Sequence, residues 1–292
     1  MFYDLLINAI VAGILLGGFY VAVTIGLSIS FGILDVVNIA HPGFVILGAY
    51  IAYTIHSQFG VDPILAAVIM LPVFYALGAT VYQTYFVSFE RRGKSAQTAL
   101  RGLAFFFGLL FVTEVGLVLV FGVDYRFVSA PYIGPTWSLG DIDFPLRLVV
   151  PCVVALLLFA VLQLYLSRTF VGRAIMAVAQ DALALRLMGA DPTRIKRTAF
   201  AISIATASIA GALLITIQPI EPSTGRVFIG RVFAICVLGG MGSLPGTVIA
   251  AMLLGVAETL TATFGGPSWA PAVSFGFLLI TLAVRPTGLL GR

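Results

Sequence analysis

The sequence predicts an all-α, polytopic membrane protein, and three observations predict it. Hydrophobic residues make up 60% of the chain and charged residues 10%, whereas soluble domains run near ~45–50% and ~25%. So little charge leaves most of the surface to face lipid. The run from Leu5 to Leu34 carries no charged residue, and ~20 apolar helical residues cross a ~30 Å hydrocarbon core, so this run is long enough to span and then turn. The apolar runs are also continuous, unlike the ~10-residue alternating segments of a transmembrane barrel.

The runs lie near 5–27, 43–56, 63–88, 102–121, 146–166, 198–218, 228–238, 246–263 and 270–284. We read them as about seven crossings plus a broken-helix hairpin, within a single transmembrane domain over residues 1–292. Met1-Phe2-Tyr3-Asp4 is not a basic leader and no A-x-A site follows a short apolar core, so the first span is expected to stay as an anchor. Cys152 and Cys236 lie in apolar runs. Two isolated cysteines make neither a disulfide framework nor a metal pattern, so both are expected to be buried hydrophobes, and no metal or cofactor is expected.

Orientation follows from the basic residues. Arg91, Arg92, Lys94 and Arg101 cluster in one loop, Arg168, Arg173, Arg186, Arg194, Lys196 and Arg197 in another, and Arg285 and Arg292 at the tail. If the spans alternate, these twelve of the sixteen basic residues share a side, which the positive-inside rule places in the cytoplasm. The loop 122–147 is then external, the N-terminus outside and the C-terminus inside.

Two stretches break the apolar pattern. "FGILDVVNIAHPGFVILGAY" (31–50) places Asp35, Asn38, His41, Pro42 and Gly43 together. Proline lacks an N–H and clashes with the preceding turn, so a helix break is expected at Pro42, with Asn38 and His41 either bonded to freed backbone groups or facing a pathway. "GGMGSLPG" (239–246) follows an arm, Phe228 to Leu238, too short for a full straight crossing. Irregular backbone survives at membrane depth only when buried in protein or lining a wet cavity. Gly239, Gly240, Gly242, Ser243 and Gly246 are therefore candidates either to line a route or to pack helices closely. Gly13 and Gly17 in the first span read as packing residues.

The loop after Leu166, "SRTFVGRAIMAVAQDALALRLMGADPTRIKR", is too long and too patterned for a plain connector. Only Gly172 interrupts helix formers between Val171 and Met188, so one continuous helix is expected there. Ile175, Ala179, Leu183 and Leu187 recur at i, i+4 as its apolar face. Gly189 is placed to terminate it, and Asp191-Pro192 to start the next helix as N-cap and first-turn proline. On the residues alone, the helix either fits a groove on a partner protein or lies on lipid headgroups.

At this point the chain resembles a family. "NIAHPGFVILGAY", "GRAIMAVAQDALALRLMGAD", "VLGGMGSLPGTVIAAMLLGVAE" and "RPTGLLGR" are similar, in order and over nearly the full length, to blocks of LivH-type permeases from branched-chain amino-acid ABC importers. The resemblance implies a type II ABC importer permease that pairs with a second homologous permease, docks two cytosolic ATP-binding subunits and receives solute from an extracytoplasmic binding protein at a bacterial inner membrane. It makes the loop helix near 171–189 the coupling helix, with Arg173, Ala177, Gln180, Asp181, Leu187 and Gly189 as coupling residues. Gln180 stands where the family commonly has Glu, and Pro42 intervenes between His41 and Gly43. The implied cargo is a branched-chain or other hydrophobic amino acid; the same pattern also serves urea, short amides and other small solutes.

Other readings find less support. "GKS" at 93–95 has Ser88 where a phosphate-binding loop needs its first glycine, so ATP is expected to be hydrolysed by partner subunits. No Ser-His-Asp set or paired carboxylates point to an enzyme. Glu114 lies about thirteen residues, or ~20 Å, from Arg101, and Glu258 near the outer end of its arm. Both are expected at an interface or rim, and neither has a second acid at i+3 or i+4 to carry protons. An ion-coupled secondary transporter or channel that works alone is the rival of another class.

Overall fold

The computed structural model describes residues 2–33, 38–89, 96–285 and 287–291. Asp35, Arg91, Arg92, Lys94, the 93–95 triplet, Pro286 and Arg292 lie outside the described residues. Within them the chain runs α1 (Phe2–Ile33), α2 (His41–Phe59), α3 (Pro63–Ser88), α4 (Ala96–Phe121), β1 (Thr136–Leu139), β2 (Ile142–Pro145), α5 (Leu146–Arg168), α6 (Phe170–Gln180), α7 (Ala182–Leu187), α8 (Pro192–Ile217), α9 (Thr224–Gly239), α10 (Leu244–Phe264) and α11 (Ala270–Val284). Seven helices among the described residues are long and apolar enough to cross a membrane, namely α1, α3, α4, α5, α8, α10 and α11. The arm α9 falls outside that set, as expected of the short run before the glycine turn, but α2, whose run 43–56 was counted among the crossings, falls outside it too, and α10, read as an arm of the hairpin, is within it.

The most enclosed spans are α1 and α8. Lipid tails are as apolar as leucine, so helices in a bilayer associate through close packing at small residues. α1 meets α10 where a Cβ on Gly255 would come within 2.6 Å of Gly17 Cα, and one on Gly13 within 2.6 Å of Val256 Cα. α2 meets α8 where Gly211 faces the Val45 carbonyl and the Ala49 amide nitrogen. Gly13 and Gly17 thus act as packing residues. Cys152 and Cys236 are both buried free thiols. α4, α5 and α11 expose many large apolar side chains, among them Leu119, Leu157 and Leu279, as a lipid-facing rim requires.

An all-helical reading did not include the short antiparallel hairpin β1–β2, which pairs Thr136 with Pro145 and Leu139 with Ile142. Its two-residue turn places Gly140 at φ 66°, the glycine position of a II′ hairpin. Asn8 of α1 pins it: Asn8 Nδ2 donates to the Asp141 carbonyl (3.0 Å) and the Asp143 N–H donates to Asn8 Oδ1 (2.8 Å). Exposed Tyr3, Phe59, Tyr125, Trp137, Phe264 and Trp269 gather at this end of the helices, where an aromatic belt meets the membrane–water boundary. Asp62 ties the α2–α3 connection to the same end. Its Oδ1 accepts the Ile64 N–H (2.8 Å) as N-cap of α3, and its Oδ2 accepts the Tyr132 hydroxyl (2.9 Å). Burial first, and that hydrogen bond second, push the Tyr132 hydroxyl well above the ordinary tyrosine range.

Candidate functional site

The break before α2 is a helix start rather than a kink. α1 ends at Ile33, and α2 opens with Pro42 in its first turn, where the missing N–H would have had no partner anyway. His41 is wholly buried. Its Nε2 lies 3.1 Å from the Val23 carbonyl of α1, about ten residues or ~15 Å short of that helix's end. His41 therefore stitches α2 to α1 deep within the chain. A Cβ on Gly26 would meet its ring at 2.7 Å, and Ser203 of α8 donates to the Gly26 carbonyl at 2.6 Å. Asn38 is 1% exposed, yet neither of its side-chain polar atoms has a partner, and His41 Nδ1 has none either. One nitrogen of His41 thus bonds backbone, a carbonyl within α1 and not one freed at the break, and among the described residues the Asn38 side chain bonds none. Gly43 packs beneath Leu110 of α4.

The glycine turn separates into two kinds of residue. Gly239 and Gly246 bring α9 and α10 into backbone contact, since a Cβ on Gly239 would stand 2.6 Å from Gly246 C. Gly240, at φ 95°, leaves the helix in a conformation that favours glycine and lies against Gly291. The chain end returns here: Leu289 and Leu290 donate to the carbonyls of Leu238 (2.8 Å) and Gly239 (3.2 Å), satisfying acceptors that the end of α9 leaves open. Gly242 and Ser243 face a cleft of about 440 Å³ shared with Gly32, Gln163, Met176 and Gln180. Ser243 also caps α10, its Oγ accepting the Gly246 N–H at 3.2 Å. The structure therefore joins Gly242 and Ser243 to Gln180 of the long loop. Among the described residues no hydrogen bond joins them to Asn38 or His41.

The loop is not one helix from 171 to 188. Asp181 breaks it: at φ −150°, ψ 102° it ends α6 and starts α7. Its Oδ1 accepts the N–H groups of Leu183 (2.8 Å) and Ala184 (3.0 Å). Aspartate competes for nearby backbone N–H groups and so favours a cap over a helix interior. The break redistributes the apolar face. Gly172, Ile175 and Val178 of α6 are buried, whereas Leu183 and Leu187 of α7 and Met188 just after it are 66%, 82% and 85% exposed. The i, i+4 stripe through Ile175, Ala179, Leu183 and Leu187 is therefore divided rather than continuous. Gly189, at φ 84°, closes α7 in a Schellman turn, with Ala190 N–H on Leu185 O and Gly189 N–H on Arg186 O. Asp191 then caps α8 with Pro192 in its first turn, as the residues predicted. Arg173, Gln180, Asp181, Leu187 and Gly189 are exposed and Ala177 is half-buried.

Two acids inside the spans are bound by arginines. Glu114 of α4 takes both Nε (2.8 Å) and Nη2 of Arg226 in α9. Glu258 of α10, 3% exposed, accepts from Tyr20 of α1 (2.5 Å), Arg231 of α9 (3.0 Å) and Ser274 of α11. Glu258 is thus an interior clasp of four helices rather than a rim residue.

The family described as "Branched-chain amino acid transport system / permease component" matches residues 9–282. The high-affinity branched-chain amino acid transport system permease protein BraD of Pseudomonas aeruginosa is 31% identical over 98% of this chain and 96% of its own length. The chain belongs to this permease family. Escherichia coli LivH, named likewise, is 28% identical over 96% of this chain and 94% of its own. Escherichia coli LivM is 27% identical over 93% of this chain and 67% of its own. The permease is a multi-pass membrane protein and a transport component.

Sequence reasoning on the permease missed Tyr20, Arg226 and Arg231. A signal was present. An unpaired charge inside a span is costly, so two arginines in one apolar arm called for two acids, and Glu114 and Glu258 were the acids available in other spans.

Proposed function

We propose that this permease imports branched-chain or other hydrophobic amino acids across a bacterial inner membrane by ATP-driven alternating access. In this reading it pairs with a second homologous permease, docks two cytosolic ATP-binding subunits and accepts cargo from an extracytoplasmic binding protein. The end-to-end match to BraD carries the reading. The exposed ridge of Leu183 and Leu187 on α7 and Met188 just after it is the surface pressed into an ATP-binding subunit, and α6, seated through Ile175 and Val178, transmits its motion. The cleft between Gln180 and the Gly242-Ser243 turn is where that motion reaches the α9–α10 pair. Both end states lie close enough in energy for ATP to bias them. Asn38, with its amide unpartnered in the core, meets the moving solute, while His41, Pro42 and Gly43 hold the helix start. The hairpin end faces outward and the α5–α8 loop faces the cytoplasm.

The test is leucine uptake into proteoliposomes holding the permease pair, ATP-binding subunits and binding protein. Accumulation that requires ATP and stops when the ATP-binding subunits are omitted is the expected result. Accumulation by the permease alone under an ion gradient would instead establish a secondary transporter.

A further inference from the structure

Most buried polar groups in this chain are already saturated. Glu114 and Arg226 form a two-bond pair, and Glu258 accepts from three donors. Among the described residues the inner cleft is lined by no ionisable side chain. One cluster at the outer end is different. The loop after α4 and the turn before α9 are joined by a two-hydrogen-bond backbone bridge, Arg126 N–H to Ile220 O (2.8 Å) and Ile220 N–H to Arg126 O (2.9 Å). That bridge sets Arg126 opposite Ile220, the residue next to Glu221 in the chain. The guanidinium lies 5.8 Å from the Tyr53 ring centre, and its Nη2 donates to the Phe121 carbonyl at 2.9 Å. Tyr50 stacks obliquely on Phe121, ring centres 4.7 Å apart, so Tyr50 and Arg126 meet on the same residue. Two strong donors here are buried with no acceptor, the Tyr50 hydroxyl and Arg126 Nε. Glu221 uses one oxygen for the Ser223 hydroxyl at 2.5 Å, and among the described residues no hydrogen bond to its other oxygen is present.

Buried donors are ordinarily paired, because an unmet one carries a desolvation cost. Two unmet donors, one of them on a cation, with a carboxylate on the residue next to the bridge, complement a zwitterion. We propose that Tyr50, Arg126 and Glu221 form an outer subsite for the head group of an α-amino acid. Arg126 Nε and the Tyr50 hydroxyl donate to the carboxylate, and Glu221 accepts from the ammonium. This proposal rests on the cargo proposed above. Tyr50 is 0% exposed in this conformation, so the head group enters when the Arg126–Ile220 bridge parts, and the subsite receives cargo on the side where the binding protein delivers it.

The purified full chain in lipid nanodiscs, titrated with radiolabelled leucine and challenged with leucinamide, tests this. Wild type is expected to bind leucine saturably, with leucinamide, which lacks the carboxylate, competing poorly. Tyr50→Phe and Arg126→Gln each remove one bond to a charged group, so leucine binding falls roughly tenfold or more. Tyr50→Phe deletes a hydroxyl that has no partner, so its melting temperature stays level or rises. Unchanged leucine affinity in both variants, or no leucine binding by wild type, overturns the subsite. So does a binding loss in Tyr50→Phe that comes with a lower melting temperature, because the hydroxyl would then be structural. Leucine uptake by the whole importer is measured alongside. Its absence overturns the cargo reading and the subsite together, whereas its presence with unaltered variants overturns the subsite alone.

Discussion

Glu258 shows how much one side chain holds in place. It receives Tyr20, Arg231 and Ser274 from three neighbouring helices, and the Arg231 side chain is itself only 17% exposed. Removing one partner of a buried pair strands the other charge, at about 3–5 kcal/mol. Glu258→Ala is therefore expected to lower the detergent melting temperature sharply, and a second substitution, Arg231→Met, to recover much of the loss. If the double variant melts no higher than Glu258→Ala, the stranded charge is not the cause. Glu114 and Arg226 differ in that Arg226 is more than half exposed, so water screens the pair and its loss is expected to matter less. The Asn38 side chain has no partner to lose among the described residues. Asn38→Ala should leave melting level or higher while slowing uptake; unchanged uptake would remove Asn38 from the pathway.

Among the elements, α6 and α7 depend on two residues that act through the backbone. Asp181→Ala removes the acceptor for two N–H groups and should cost about 1 kcal/mol of local stability, whereas Asp181→Asn keeps the cap. Faster amide exchange at Leu183 and Ala184 in the alanine variant only is the expected pattern, with a matching fall in uptake. Gly189 has open space around it, so Gly189→Ala meets only the backbone penalty of a left-handed residue, ~1–2 kcal/mol. It should weaken docking of the ATP-binding subunits without removing the permease from the membrane. The pattern Gly-then-Asp-Pro was legible because caps are short-range chemistry. The break at Asp181 was not, because alanines and leucines on both sides favour one helix, and a single capping aspartate overrode that preference locally.

For the whole molecule, assembly turns on where small residues meet. Gly255→Leu drives a side chain into the α1 backbone at Gly13 and Gly17, and should sharply reduce the yield of monodisperse protein. Gly108→Leu and Gly116→Leu on α4 have nothing within 4 Å and should be tolerated. Equal yields from all three would refute the packing argument. α1 and α8 form the interior and α4, α5 and α11 the rim, a division that hydropathy cannot make because lipid and protein interior are equally apolar.

The residue order by itself determined the membrane class, the positions of the spans, the two irregular turns and the helix start at Asp191-Pro192, since each follows from run length or from chemistry within a few neighbours. Only the tertiary structure decided which spans are central, which arginine meets which acid, that the Asn38 side chain bonds nothing among the described residues while His41 clasps α1, and that Leu289 and Leu290 cap α9. Those outcomes join groups far apart along the chain, and in a bilayer the pairing is selected by close fit and by the cost of an unmet polar group, neither of which leaves a periodic trace in the sequence.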